Sequence, residues 1–587
     1  MPRSEVLLVT GRTLKQGAQI ETARFTKDYE DVAALCFMNP DDMTELGVRE
    51  GSNVKVTTEA GSVVVKVSAY KGNPRGLIFI PLGPWANAII PAKTRSTGMP
   101  FFKDVKACVE PTDELVPSIE EIVFRNSGKK PLKVPVKYLM SPADFKCNDE
   151  GTFENHLCTI CACLCDDLVL EVKGDMITNI KNACARSLAK FKSYAAERVK
   201  TPLMRVGDEL KPISYDQAID KTAEILVKAK YPLLFGWSTT SSEAAKLGVR
   251  LAELVGGIID CLATFCHGPS VMAIQQFGVV TSTLGNIRDN ADLMVFWGCN
   301  PPASHPRHFI RYSALAKGLK VKGRADRKII VVDVRETETS RIADMFVKIK
   351  PGMDYELLTA LLMAVKGFEI EDEEVAGVPR EIIMNMADMM MSAKFGVLFP
   401  GLGLTATSAR NRNIEAAIRL VQALNDWTTF SLVPMRGHWN VAGNNQVFAW
   451  LTGYPYAIDL SRGYPRYNPG VTTTVDLLVK GEVDAAMIVA SDPGAHFPAQ
   501  ALKHLAKIPL IVVDPKWSLT ASLADLYIPT KIVGIDAEGT GYRMDNMPLR
   551  AKQVLEADNL MDDVTFLEKL IEKVKEVKAR ETRTHNN

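Results

Sequence analysis

Short apolar runs broken by Gly and Pro fill the front of the chain, as in SNVKVTTEAGSVVVKVSAY and RGLIFIPLGPWANAII, and this texture predicts the strands of a small β-barrel over residues 1–128. Helical spacing is confined there to Pro40–Leu46. The stretch SGKKPLKVPVKYLMSPADF has three prolines and no clear period, and predicts a linker laid over the surface at 129–153. After a cysteine-rich segment at 154–195 the pattern changes. KYPLLFGWS, ADLMVFWGCN, KIIVVDVR, FGVLFPG, AAMIVASD and PLIVVDP read as buried parallel strands separated by amphipathic helical stretches. That alternation predicts an α/β fold over 196–587, with open, doubly wound sheets carrying helices on both faces. No fixed-period repeat is visible. The acidic run EIEDEEV and the tail KLIEKVKEVKARETRTHNN read as solvated helix surface.

At 587 residues the chain is too long for one core and should divide into several domains. Apolar content of 47%, charged content of 24% and a net charge of +1 supply no electrostatic reason for nucleic-acid or membrane partners. The opening MPRSEVLLVTGRTLKQGAQIE has too short an apolar run for a signal peptide, and no apolar span of membrane-crossing length follows, so a cytoplasmic location is expected.

Five of the 11 cysteines lie between Cys158 and Cys184, which suits metal ligation better than a disulfide framework. Cys158, Cys161, Cys165 and Cys184 form a C-x2-C-x3-C-x18-C pattern able to place four thiolates around one [4Fe–4S] cluster, with Cys163 as a spare thiol inside it. Electron transfer is the implied chemistry.

In doubly wound sheets ligands bind beyond the carboxyl ends of strands, so the loops there are informative. Asn300-Pro301-Pro302-Ala303-Ser304-His305, then Asp333 with Arg335 and Thr337, then Asp492-Pro493-Gly494-Ala495-His496 offer carboxylates, amides and backbone donors suited to a nucleotide; each could also merely cap the next helix. Neither a G-x-G-x-x-G fingerprint nor a P-loop accompanies them, which disfavours NAD and ATP. Cys266, followed by His267 in a breaker-rich turn, is either a buried structural thiol or an activated one.

The wording CTICACLCDDL, NAC, ATFCHGPS, VFWGCNPPASHPRH, VVDVRETETSRIAD and VPMRGHWNVAGN closely resembles the catalytic B subunits of formylmethanofuran dehydrogenases, within the molybdopterin oxidoreductases, from about Glu154 onward. The segments NPDDMTELGVREGSNVKV, IPLGPWANAI and TGMPFFK resemble the D subunits of the same enzymes, so the chain looks like a D–B fusion with its barrel in front, whereas in most of the superfamily the barrel follows the catalytic domains.

The resemblance implies a double-psi-type barrel, a small iron–sulfur domain held by Cys158, Cys161, Cys165 and Cys184, and two molybdopterin guanine dinucleotides. It implies Cys266 as protein ligand to tungsten or molybdenum, His267 handling a proton beside the metal, and Arg436 holding formate. Nucleotide contacts are expected from Gly298, Asn300, Pro301, Ser304, His305, Asp333, Arg335, Thr337, Asp354, Asp492 and Pro493, and from Asn39, Asp41 and Asn87 of the barrel. The implied activity is reversible reduction of CO2 to formate, the first step of methanogenesis from CO2 or the last step of its reversal. The eight histidines include no H-x-H motif, so condensation of formate with methanofuran is assigned to a separate amidohydrolase-type partner with a binuclear metal site. A chain like the family's C subunits and polyferredoxin or ferredoxin-like electron-transfer proteins are the other partners implied. The rival readings are a stand-alone formate dehydrogenase and a non-redox scaffold.

Overall fold

A computed structural model describes residues 3–147 and 150–585; the first two residues, two of the expected linker and the last two of the tail lie outside it. The front of the chain closes into a six-stranded barrel in the order Ser4–Gly11, Leu77–Pro81, Leu35–Met38, Gly61–Ala69, Asn53–Thr58 and Val105–Pro111. Its interior is filled by residues such as Leu8, Cys36, Val54, Val65 and Ile80, all essentially inaccessible. Helix is not confined to Pro40–Leu46. Leu14–Thr22 and Lys27–Ala33 are helices capped by the hydroxyls of Thr13 and Thr26, and Ile119–Ser127 opens on a capping box at Ser118 and Glu121. The first of these packs against helix Ala185–Lys192 of the cysteine segment, with Gly17 directly against Arg186. Tertiary contact supplies what its own weak periodicity does not.

Two parallel sheets form the rest of the molecule, and the mixed α/β architecture expected from the alternation is what the chain adopts. In the first, parallel strands run in the order Leu526–Ile528, Leu510–Val513, Ala485–Val489, Pro232–Gly236 and Ile258–Cys261, with antiparallel hairpins Leu203–Val206/Glu209–Pro212 and Ile458–Asp459/Arg466–Tyr467 on its two edges. The second is wholly parallel: Met345–Lys348, Lys328–Asp333, Leu293–Trp297, Phe395–Pro400 and Thr429–Leu432. Every residue of Pro232–Gly236, Leu293–Trp297, Phe395–Pro400 and Ala485–Val489 is buried, as strands covered on both faces must be. A three-stranded sheet, Gly151–His156, Leu168–Lys173 and Met176–Lys181, carries the cysteine segment.

Two surface readings change. The acidic run is not helical: Glu374–Val375 pairs with Val378–Pro379 across a turn at Ala376 and Gly377, whose positive φ values no helix accommodates. The tail is helical from Asp563 to His585, but Phe566, Leu567, Leu570, Ile571 and Val574 bury one face against helices Tyr215–Lys228 and Ser242–Val255. The proline-rich linker is strapped down rather than merely laid on: the Met140 and Lys146 amides donate to the carbonyls of Arg198 and Glu556, and Phe145 is buried.

Just beyond the cysteine segment, Arg198 grips Asp536, in the loop that follows strand Leu526–Ile528, with two bonds of 2.7 and 3.2 Å, both side chains fully buried. Asp536→Ala leaves that cation unpaired in the interior, and a loss of about 3–5 kcal/mol in unfolding free energy is expected. Denaturant unfolding of the two chains measures it, and a change under about 1 kcal/mol would mean that solvent reaches the pair.

Candidate active site

Strand order reverses once in each sheet, and a crevice opens at each reversal. In the second sheet it lies between Leu293–Trp297 and Phe395–Pro400. The loops leaving these strands meet backbone to backbone: the Gly403 amide donates to the Gly298 carbonyl at 2.8 Å, and a Cβ on Gly298 (φ +58°) would stand 2.6 Å from Gly403 Cα. In the first sheet the reversal lies between Pro232–Gly236 and Ala485–Val489. There two non-glycine residues hold left-handed backbone, Trp237 at φ 67° and Ala490 at φ 47°, with the Trp237 amide donating to the Val489 carbonyl. Strain of this kind persists only where the surroundings enforce it.

Each crevice continues as a cavity walled on its other side by the barrel. The first, of ≈ 250 Å³, is lined by Asn300, Ser304, His305, Asp333, Arg335, Thr337 and Asp354 together with Arg12, Phe79, Lys103 and Asp104. The second, of ≈ 150 Å³, is lined by Ser491, Asp492, Asp514, Lys516 and Asp563 with Arg24, Tyr29 and Lys190. Arg12, Arg186, His438 and His496 line both.

Cys266 stands in the first cavity, on the turn between Leu262–Phe265 and helix Gly268–Phe277. Burial pushes its thiol up to about 11, while the Gly437 amide and the charges of Arg436 and Arg12 oppose that and favour the thiolate. A Cβ on Gly437 would lie 3.8 Å from Cys266 Sγ, an ordinary contact that shows how near this backbone runs to the thiol. Arg436 is half-buried and donates from Nη1 to Asn445 Oδ1 at 2.6 Å. His267 does not face the cavity. Its Nε2 lies 2.9 Å from the Met435 carbonyl, which can only accept, so Nε2 carries the proton and Nδ1 accepts from Ser270 Oγ at 3.1 Å. Burial, with Arg436 nearby, drives its pKa down to about 3. Both nitrogens are thus hydrogen-bonded to the scaffold.

The cysteine segment reaches this turn through its backbone: the Ala162 amide donates to the Gly437 carbonyl at 3.1 Å, and Cys161 bridges His438. Ser187 ties two of the four motif cysteines together, accepting from Cys158 Sγ and donating its amide to Cys184 Sγ, each at 3.4 Å. Cys158, Cys161 and Cys165 are buried and Cys184 is half-buried. Cys163 lies against Cys161 and draws its pKa downward. Among the described residues no three His, Cys, Asp or Glu side chains converge as ligands of a single ion would; four thiolates on separate corners of a cluster need not do so. Arg186, two residues after Cys184, donates to the Ser304 carbonyl and so joins this segment to both cavities.

The cavity walls hold polar atoms that are buried yet have no protein partner: Arg186 Nε, His438 Nδ1, His496 Nδ1, Thr337 Oγ1, Asp104 Oδ2, Ser491 Oγ and Asp563 Oδ1. Orphaned groups at such density call for a polar ligand. Burial raises Asp354 and Asp514 to about 7 and Asp104 and Asp563 to about 6, so each cavity presents two strained carboxyls beside its cations. A molecule with an anionic middle and base edges that donate hydrogen bonds matches both features.

Of the residues nominated from sequence, Cys266, Gly298, Asn300, Ser304, His305, Asp333, Arg335, Thr337 and Asp354 meet in the first cavity and Asp492 in the second. Pro301 and Pro493 stand at the first positions of short helical turns. Asn39 and Asp41 line neither cavity: Asn39 caps its own helix by accepting from the Asp41 amide, because Asn-Pro-Asp is a helix-start signal. Asn87 donates to the Ala495 carbonyl and so fastens the barrel to the second crevice. His496, in the third of the strand-end loops, lines both cavities, whereas Arg12, Lys103, Asp104, Arg186 and His438 were missed. Gly401-Leu402-Gly403 beyond a buried strand was the one legible signal for the loop opposite Gly298.

Family models for the molydopterin dinucleotide binding domain and the molybdopterin oxidoreductase match residues 6–106 and 198–534. The chain is 47% identical over 428 residues to the B subunit of the tungsten-containing formylmethanofuran dehydrogenase 2 of Methanocaldococcus jannaschii, covering 72% of this chain and 98% of that protein. A protein named FwdD from the same organism is 46% identical over 111 residues, covering 18% of this chain and 84% of its own length. Among solved structures, the formyltransferase/hydrolase complex of Methylorubrum extorquens superposes with a TM-score of 0.53 at 21% identity, over 65% of this chain and 100% of that one, a likeness of fold.

Asp354 gives a pH-dependent test. Its folded pKa is raised, so its share of stability is present at low pH and is lost as pH rises from the unfolded value toward about 7. Asp354→Asn keeps an acceptor for the Trp297 indole, which donates to Asp354 Oδ1 at 2.8 Å, and removes the buried charge. The ligand-free variant should gain up to about 4 kcal/mol at pH 8 and almost nothing at pH 4. Thermal unfolding at both values decides it; equal gains would assign the effect to packing.

Proposed function

The chain belongs to the molybdopterin oxidoreductase family, and from that premise we propose that it catalyses the redox half of the formylmethanofuran dehydrogenase reaction, CO2 + 2 e⁻ + H⁺ ⇌ HCOO⁻, with formate passed to a separate amidohydrolase-type partner for condensation with methanofuran. The observation that carries this reading is Cys266, a half-buried thiol that lines the first cavity beside the Gly437 amide and within the electrostatic reach of Arg436 and Arg12, where that cavity adjoins the second across shared arginines and histidines.

The residues present fit the cofactor. Cys266 would hold tungsten or molybdenum, a soft thiolate for a soft, sulfur-rich metal. Asn300, Ser304, Asp333, Arg335, Thr337 and Asp354 would hold one pterin guanine dinucleotide and Ser491, Asp492, Asp514 and Lys516 the other, carboxylates taking the donor edge of guanine and cations the pyrophosphate. When bound, the metal–pterin group supplies the two-electron chemistry at carbon. Arg436 holds the carboxylate, where negative charge accumulates as CO2 is reduced, and the low dielectric of its surroundings strengthens that contact. His267 supports the Met435–Gly437 backbone that faces Cys266. We read residues 1–128 as a double-psi-type, dinucleotide-binding barrel, 129–153 as a linker, 154–195 as a [4Fe–4S] domain on Cys158, Cys161, Cys165 and Cys184, and 196–587 as the catalytic domains. Electrons come from polyferredoxin or ferredoxin-like partners, beside a chain like the family's C subunits. Among the described residues no helix is long and apolar enough to cross a membrane.

Cys266→Ala should abolish CO2 reduction and formate oxidation alike while the reduced cluster's EPR signal persists. Arg436→Lys keeps the charge and loses the fork, and kcat/KM for formate should fall by roughly 2–4 kcal/mol. Cys184→Ala should lose the cluster signal and Cys163→Ala should retain it. Wild-type rates in the Cys266 variant would end the assignment, and an unaltered spectrum in the Cys184 variant would end the cluster's.

A further inference from the structure

The side-chain partner of Arg436 is an amide, Asn445, reached at 2.6 Å. Asn445 is 6% exposed and lies on helix Val441–Thr452, and its other end is fixed as well: Nδ2 donates to the Pro455 carbonyl at 2.8 Å and lies 3.7 Å from Cys261 Sγ. Because the Pro455 carbonyl only accepts, the amide cannot turn over, and its oxygen must point at the guanidinium. The usual partner of a buried arginine is a carboxylate, as Asp536 is for Arg198 in this same chain. Among the described residues none pairs with Arg436, and the groups that favour its charge are the thiols of Cys266 and Cys261.

We propose that Asn445 is a positioning residue that aims Arg436 at the substrate without neutralising it, leaving its positive charge for the carboxylate of formate. An aspartate here would hold the guanidinium more tightly and compete with the substrate for it. A leucine would leave it unaimed. The inference rests on the reading of Arg436 as the formate-binding group, and the two can be separated.

The test uses the purified, cofactor-loaded enzyme, with metal content and the cluster EPR signal recorded for every variant. Formate oxidation gives KM and kcat, and nitrate, a planar oxyanion, serves as a competing probe that is read by its inhibition constant. Asn445→Asp should raise the KM for formate and weaken nitrate inhibition together, each by about tenfold or more, with a smaller change in kcat. Asn445→Leu, similar in size and unable to bond, should lower kcat with metal content maintained, and it decides the matter if the aspartate variant fails to load cofactor. Wild-type KM and nitrate inhibition in Asn445→Asp, where Arg436→Lys alters both, would overturn the role of Asn445 alone. If Arg436→Lys alters neither, the formate reading falls and this inference falls with it. A loss of stability and metal in both Asn445 variants without a shift in KM or kcat per metal would also overturn it, since packing alone would produce that.

Discussion

The site depends on the backbone of one segment, Pro434–Asn440, which carries the chain from the second sheet to the first. Its Met435 amide donates to Pro400 at the end of one strand, and its Asn440 amide donates to Ser238 beyond another. Between these anchors the carbonyls of Met435, Arg436 and Gly437 accept from His267, His305 and the Ala162 amide, while the Gly437 amide faces Cys266. One strip of peptide groups therefore fixes the distance between Cys266, both crevices and the cysteine segment. Side chains could not do this as rigidly, because a carbonyl has no rotamers to lose. Two imidazoles, His267 and His305, take part in holding the strip.

The two crevices solve one geometric problem by different means. The second sheet uses Gly298 and Gly403 so that two loops touch backbone to backbone, whereas the first accepts left-handed Trp237 and Ala490. A third strained residue, Leu164 at φ 40°, lies inside the cysteine motif, with its side chain buried beside Leu157 and Trp439. Left-handed backbone also occurs far from the site, as at Ala376, but Ala490 lines the second cavity, where a ligand's contacts can offset its strain.

Much of this was legible in the sequence. The six strand segments were readable because residues buried on both faces leave continuous apolar runs, and the cysteine spacing and strand-end loops are local patterns that survive in one dimension. Arg12 and Asp104 were not, because they stand in the barrel outside any motif; only the packing of barrel, cysteine segment and both sheets brings them to the site. Asn39 misled for a related reason: Asn before Pro-Asp serves equally as a ligand loop and a helix cap, and only the third dimension separates the two. Proximity in sequence to Cys266 likewise says nothing about which way the His267 ring points, and the structure turns it toward Met435 and Ser270.

Charge explains why such a protein tolerates so unfavourable an interior. Arg12 and Lys103 are buried with their pKa values lowered, chiefly by desolvation, and Asp354 and Asp514 are raised for the same reason. Cations and carboxyls thus share the cavities, yet Arg12 bonds to His496 Nε2 and Lys103 to the Thr10 carbonyl. Had folding stability been the sole requirement, pairing them with one another would have been the cheaper arrangement. Arg24 does pair with Asp492 in the second cavity, at 3.5 Å, but among the described residues Arg12, Lys103, Asp354 and Asp514 form no ion pair, which leaves charged groups of both signs for a polar ligand. A ligand that meets both sets stabilises the folded chain by mass action as it binds. The unfavourable interior of the protein alone and tight retention of the cofactor are then consequences of one arrangement of charge.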